Sequence, residues 1–187
     1  EKLVKKFNKD NKKKINLKNY HKYFKFINHE KIFTKRNRLL SKKDIDEILI
    51  KTRLISKLKS IFGEIFITDE ENIGYPNIYW RCVRPKPYID VGPFHKDKWF
   101  WDLGCGIIDK KFKRVKVWIS LMSENKKLGF RFIKGSVGKS FKYKSEFRHN
   151  QKKPIFEESQ LQNSKIESAK GQKGSLIVFN DELLHSG

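Results

Sequence analysis

The sequence predicts a mainly β protein with helices packed at its N-terminal end, and a jelly roll or related barrel is the architecture that fits it. Two changes along the chain carry this expectation. Up to Gly63 the apolar residues recur at helical spacing, whereas beyond it the chain breaks into short runs rich in Ile, Val, Phe, Tyr and Trp, separated by Gly, Pro, Asn or charged turns. The chain has 187 residues, enough for one substantial core, so residues 1–187 are expected to form a single domain with a helical part over 1–63 and a β core over 64–187.

Residues 1–14 are lysine-rich and poor in apolar side chains, the composition of a solvent-facing lead. Leu17, Tyr20, Tyr23, Phe24 and Ile27 then follow helical spacing and predict a packing helix. Ser41 three residues before Asp44 resembles a capping box with Asp in place of Glu. The apolar residues after it, Ile45, Ile48, Leu49, Ile55, Leu58 and Phe62, lie largely on one helical face, and Gly63 is a natural stop.

Strands are predicted over 64–68, 77–83, 115–121, 128–133 and 175–179. In the third of these Val115, Val117, Ile119 and Leu121 alternate with Lys116, Trp118 and Ser120, so both faces are expected to be covered, one by helices and one by the barrel interior. The stretch 139–171 has few strand signals and many charges and amides; it is expected to be an irregular insertion serving as a lid or substrate loop.

Charge and cysteine content bound the function. The chain carries 43 Lys plus Arg against 21 Asp plus Glu, a formal charge of +22 that could attract phosphates, nucleic acid or another acidic partner. These lysines are spread along the chain rather than gathered in one stripe with interleaved aromatics, so nucleic acid is not the expected partner. Only Cys82 and Cys105 occur, without C-x-x-C spacing, and they read as reduced thiols of a cytoplasmic protein. No apolar run approaches the ~20 residues of a membrane span. The N-terminus lacks the apolar core of a secretion signal, and its lack of a methionine suggests a chain trimmed at the front.

Chemistry concentrates in Gly92–Asp102, Gly-Pro-Phe-His-Lys-Asp-Lys-Trp-Phe-Trp-Asp. In an extended segment His95 and Asp97 point the same way and Lys96 points away. Joined by His185 from the end of a distant apolar run, they compose the two-histidine, one-carboxylate facial triad suited to non-haem Fe(II), with the opposite face left open. Trp99, Phe100 and Trp101 follow at once, too dense an aromatic cluster to leave in water, so this turn is expected to be buried or to line a pocket. His21, His29 and His149 have no partner at ligand spacing and read as ordinary histidines.

Four modest motifs in this order carry a resemblance: His95-Lys96-Asp97, Val117-Trp118-Ile119-Ser120-Leu121, Gly129 to Ser136, and Gly174-Ser175-Leu176-Ile177-Val178-Phe179 leading to Leu184-His185-Ser186-Gly187. Over residues 77–187 the chain resembles the phytanoyl-CoA dioxygenase-like family of Fe(II)- and 2-oxoglutarate-dependent oxygenases. The resemblance implies a double-stranded β-helix, a cupin-like jelly roll, with metal ligands His95, Asp97 and His185 and a cosubstrate contact at Trp118.

It also implies that a C–H bond of a small or carrier-linked, anionic substrate is hydroxylated, with succinate and carbon dioxide as co-products. Asp97 points to hydroxylation, since related halogenases have a small residue at that place. The chain has Lys134-Gly135-Ser136-Val137 where the family usually reads Pro-Gly-Ser-His. Family members also place an arginine about ten residues past the distal histidine to grip 2-oxoglutarate. This sequence stops at Gly187, so a further C-terminal strand is expected, and Arg81 and Arg84 are candidate cationic contacts. Two rival readings are a basic nucleic-acid-binding module, or a nucleic-acid-demethylating oxygenase, and a metal-binding jelly roll without turnover.

Overall fold

The computed structural model describes residues 34–81, 83, 91–105, 109, 111–121, 127–148 and 151–187, together with residues 5, 8 and 9. The predicted helix over 17–27 lies outside the described residues. Two compact units divide the chain, Glu1–Asp90 and Val91–Gly187.

In the first unit the described helices are α1 (Lys35–Arg38), α2 (Lys42–Thr52) and α3 (Leu54–Phe62). The cap before α2 is reciprocal, as the sequence suggests. Ser41 Oγ accepts the Asp44 amide at 3.3 Å and donates to Asp44 Oδ2 at 2.7 Å. One face of α2 and α3 buries Ile45, Leu54 and Leu58. The single helix read from the pattern is interrupted at Arg53, which adopts a left-handed conformation with φ 51°. No Gly or Pro marks that break, so periodicity runs through it undisturbed.

The strands expected at 64–68 and 77–83 are not ladders. Residues 64–68 form no strand, and the second segment contributes only an isolated bridge between Leu39 and Tyr79. Asp69 explains the turn between them: its carboxylate accepts the amides of Ile73 and Gly74 at 3.0 and 2.7 Å, and Asn77 Nδ2 at 3.1 Å. A carboxylate collecting local donors favours a turn over sheet pairing.

The second unit holds one helix and seven strands among the described residues: α4 (Asp97–Asp102), β1 (Val115–Ile119), β2 (Lys127–Ile133), β3 (Tyr143–Arg148), β4 (Gln151–Phe156), β5 (Ile166–Lys170), β6 (Leu176–Asn180) and β7 (His185–Ser186). Pairing joins β1 to β6, β3 to β4, and β5–β2–β7 as a three-stranded sheet, each pair antiparallel. Among the described residues the protein is thus mainly β with a few helices, and the sheets they form are not closed.

Two expectations about these strands need correction. Residues 139–171 hold the whole of β3, β4 and β5 rather than an irregular loop, together with a 3-10 turn at Glu158–Leu161. Charge hid this, because Lys144, Glu146, Lys152 and Lys153 fill the polar positions while a few residues anchor the hairpin. Those anchors are Phe156 and Leu161, buried with Phe94, Trp99, Ile133 and Leu184, with Tyr143 stacked on Trp99 at 4.6 Å. In β1 the valine face is not covered as expected: Val115, Val117 and Ile119 are 40, 37 and 37 % exposed, while the Lys116, Trp118 and Ser120 face turns inward.

Replacing Phe156 by Ala should cost about 3–5 kcal/mol of unfolding free energy in urea, the usual penalty for a large core side chain. A loss under about 1 kcal/mol would mean that the β3–β4 hairpin is not docked on Trp99 and Leu161.

Candidate metal centre

The site begins with side-chain alternation at the start of α4. Lys96, the residue before the helix, is extended (φ −104°, ψ 134°), so successive side chains in this segment leave opposite faces. Phe94 and Lys96 turn into the protein, at 0 and 4 % exposure, while His95 and Asp97 face the other side. The same alternation recurs in β7, where Leu184 joins the core and His185 lies across from it.

What brings the two histidines together is a direct backbone pair. His95 N donates to His185 O at 2.8 Å and His185 N to His95 O at 2.9 Å, the reciprocal pattern of an antiparallel bridge. On its other side His185 pairs with Phe132 of β2. Both histidines therefore project from neighbouring extended segments towards one point, with ring centroids 4.6 Å apart.

The rings are oriented by their own backbone. Nδ1 of His95 donates to Pro93 O and Nδ1 of His185 to Leu183 O, each at 2.9 Å. A carbonyl oxygen can only accept, so each Nδ1 carries a proton and Nε2 is the ring atom turned towards Asp97. Nε2 of His95 is 3.5 Å from Asp97 Oδ1, and Nε2 of His185 is 3.9 Å from Oδ2. Two Nε2 atoms and a carboxylate that face one another in this way call for a cation or a proton between them.

One ligand atom from each of His95, Asp97 and His185 lies within 4.8 Å of the others, so the three could hold a metal ion. Ligand atoms placed at right angles around an ion, each at a bond length of about 2.1 Å, stand about 3 Å apart. The two His–Asp contacts, at 3.5 and 3.9 Å, therefore close by about 1 Å or less on coordination, and the widest separation in the cluster, within 4.8 Å, by up to about 2 Å. Donor chemistry agrees with the geometry, since two imidazoles and one carboxylate suit non-haem iron.

Electrostatics hold Asp97 and His185 in ligand-ready states. Burial pushes the Asp97 carboxyl up, but contact with His95 and the charges of Lys116, His185 and His95 outweigh it and set it at about 2. For His185, burial and the His95 charge lower the pKa to about 4, so the ring is neutral at physiological pH. Ionised carboxylate and neutral imidazole are the forms that bind metal.

An aromatic wall encloses the distal histidine. The Phe130 ring stacks on His185 at 5.2 Å, Phe179 approaches it at 4.7 Å, and Phe100 meets His95 edge-on at 5.6 Å. Trp118, 6.2 Å from Phe130, lies on the less exposed face of β1. Trp99, Phe100 and Trp101 behave as their density in sequence suggests. Trp99 enters the core, and Trp101 lies under the cations of Lys116 and Arg114 at 5.2 and 5.6 Å.

Sequence reading missed Lys116. Its Nζ lies 4.0 Å from Asp97 Oδ2, which makes it the charged neighbour of the cluster on β1. Its signal was present, since it alternates with Val115 and Val117 on the face shared with Trp118, but one lysine among so many carries little information. Of the arginines proposed for cosubstrate contact, Arg81 is an exposed residue of the first unit and Arg84 lies outside the described residues. His149 also lies outside them. Cys105 is a free thiol, with Sγ–H donating to Lys152 O at 3.2 Å, and no helix among the described residues is long and apolar enough to cross a membrane.

Comparison with known proteins gives one positive result. The family profile described as phytanoyl-CoA dioxygenase (PhyH) matches residues 6–187, nearly the whole chain. No curated protein and no solved structure gives a significant match.

His185 makes the metal-free protein acid-sensitive. Its unfolded form takes a proton near pH 6.5 and its folded form only near pH 4, so stability present above pH 6.5 is lost as pH falls towards 4. At 1.36 kcal/mol per unit this loss is on the order of 3 kcal/mol. Urea titrations of chelator-treated protein at pH 7 and pH 4.5 should show that loss in the wild type and a much smaller one in His185→Gln. Equal losses in both would remove the buried neutral imidazole as the cause.

Proposed function

The chain belongs to the phytanoyl-CoA dioxygenase family, and on that premise we propose that it is an Fe(II)- and 2-oxoglutarate-dependent oxygenase that hydroxylates a C–H bond of a small or carrier-linked metabolite. Succinate and carbon dioxide would be the co-products. The observation that carries this reading is the convergence of two Nε2 atoms and the Asp97 carboxylate on one point. The antiparallel pairing of β1 with β6 and of β2 with both β5 and β7 supports reading the open sheets as parts of a double-stranded β-helix. A family match that runs through both units supports treating 1–187 as one oxygenase domain.

His95, Asp97 and His185 would hold the iron from one side. When bound, Fe(II) with 2-oxoglutarate supplies the oxidising power needed to activate dioxygen and break a C–H bond. The protein supplies ligand geometry and a shaped surround. Backbone carbonyls fix both imidazole tautomers, and the Phe130 and Phe179 rings keep water from the His185 side. Asp97 fills the place that a halide would need, which favours hydroxylation.

Lys116 is the residue best placed to receive an anionic group of cosubstrate or substrate. It faces inward from β1 beside Asp97, and Trp118 lies two residues on along the same face of the strand. Arg81 and Arg84 are further candidate cationic contacts on sequence grounds alone. An acidic small molecule is the substrate class that this charge suits.

Two measurements test the reading. Mixed anaerobically with Fe(II) and 2-oxoglutarate, the full-length protein should develop a metal-to-cosubstrate charge-transfer absorption that is absent in His95→Ala and Asp97→Ala; a wild type without the band contradicts the assignment. Lys116→Met should raise KM for 2-oxoglutarate or for the substrate by about tenfold or more, equivalent to about 1.4 kcal/mol, while kcat changes less. Unchanged KM for both would remove Lys116 from anion binding.

A further inference from the structure

The turn after β2 touches both segments that carry the candidate ligands. Gly135, at φ 75°, lets the chain reverse there in a conformation that side chains other than glycine rarely adopt. Ser136 follows, and it is fully buried. Its hydroxyl accepts the Leu184 amide at 2.9 Å, one residue before His185. Its carbonyl accepts Lys96 Nζ at 3.1 Å, between His95 and Asp97.

Lys96 adds to the same knot. Its ammonium also donates to Lys139 O at 2.7 Å and stands 5.2 Å from the Phe141 ring centre. At 4 % residue exposure it is the one lysine among the buried residues of the described chain. A buried ammonium is costly unless its donors are used, and here two carbonyls and an aromatic face receive it. Glu182 spans the same gap at the surface, linking Lys98 Nζ at 2.8 Å to the Gly138 amide at 3.1 Å.

We propose that Ser136 and Lys96 are positioning residues that set the distance between the His95–Asp97 segment and His185, and thereby the metal affinity of the site. Neither touches the cluster, because both lie on the opposite side of the extended segments that bear it. They act through the backbone: Lys96 anchors the residue between two ligands, and Ser136 anchors the residue before the third. With ligand contacts of 3.5 and 3.9 Å that must close for coordination, a small change in segment spacing decides whether all three groups reach one ion. The same turn explains how a Lys-Gly-Ser-Val sequence serves here, since the function resides in the serine hydroxyl and carbonyl. This inference rests on the metal-binding reading proposed above.

Co(II) titration, followed by its visible absorption, tests both separately. Loosened outer contacts typically cost 10- to 100-fold in metal affinity, so Ser136→Ala and Lys96→Met should each weaken Co(II) binding by about that factor and alter the band shape. Ser136→Thr keeps the hydroxyl and should restore both. Ile45→Ala, a core change in the first unit, should lower the melting temperature without the ligand effect, leaving Co(II) affinity within about twofold. Wild type that binds Co(II) while both variants bind it equally well, with the same spectrum, would overturn the positioning role alone. Wild type that binds no Co(II) would overturn the metal-site reading itself. If Ser136→Ala does not fold, Lys96→Met, which keeps the stem packed at Phe141, decides by the same criterion.

Discussion

The reciprocal hydrogen bonds between the backbones of His95 and His185 are the constraint on which the second unit depends. They join the segment leading into α4 to the end of the chain, and β2 holds that end from the other side. Once this pairing is made, the pleat decides the rest. Phe94, Lys96, Leu184 and Ser186 are buried, whereas His95, Asp97 and His185 must share the opposite side. A slip of one residue would reverse every assignment and leave a buried carboxylate among phenylalanines.

That opposite side is electrostatically unfinished. Each imidazole uses its Nδ1 proton on a carbonyl two residues back, which leaves both Nε2 atoms directed at the Asp97 carboxylate, whose pKa is lowered to about 2 by these rings and Lys116. Lys116 offsets part of this charge from 4.0 Å, but an ion between the three groups would offset more and at shorter range. Folding energy spent on bringing such groups together has a ready explanation in ligand binding. The aromatic rings of Phe130 and Phe179 sharpen the effect by lowering the polarity around His185.

Much of this was legible in the sequence because alternation is a local rule. His95 and Asp97 could be placed on one face from spacing alone, and β1, β2 and β6 were found within one or two residues of their ends by β-branched and aromatic runs. The hairpin β3–β4 was not, since its stability comes from Phe156 and Tyr143 packing on Trp99, a contact between residues distant in sequence, while its polar positions read as loop. Residues 64–68 erred the other way: Ile65, Phe66 and Ile67 look like a strand, yet Asp69 and Asn77 draw the neighbouring backbone into a turn. Lys116, Lys96 and Ser136 stood in the motifs, but their roles were not legible for a third reason, because these lie in what the side chains face.

The central claim is that three side chains share one ion through Nε2, a carboxylate oxygen and Nε2. Anomalous diffraction from crystals of the full chain grown with Mn(II) tests this most directly. The account predicts one strong peak at bonding distance from His95 Nε2, Asp97 and His185 Nε2, with both Nδ1 atoms still donating to Pro93 O and Leu183 O. A well-ordered site with no peak between these groups, or an ion held by other residues, would contradict it.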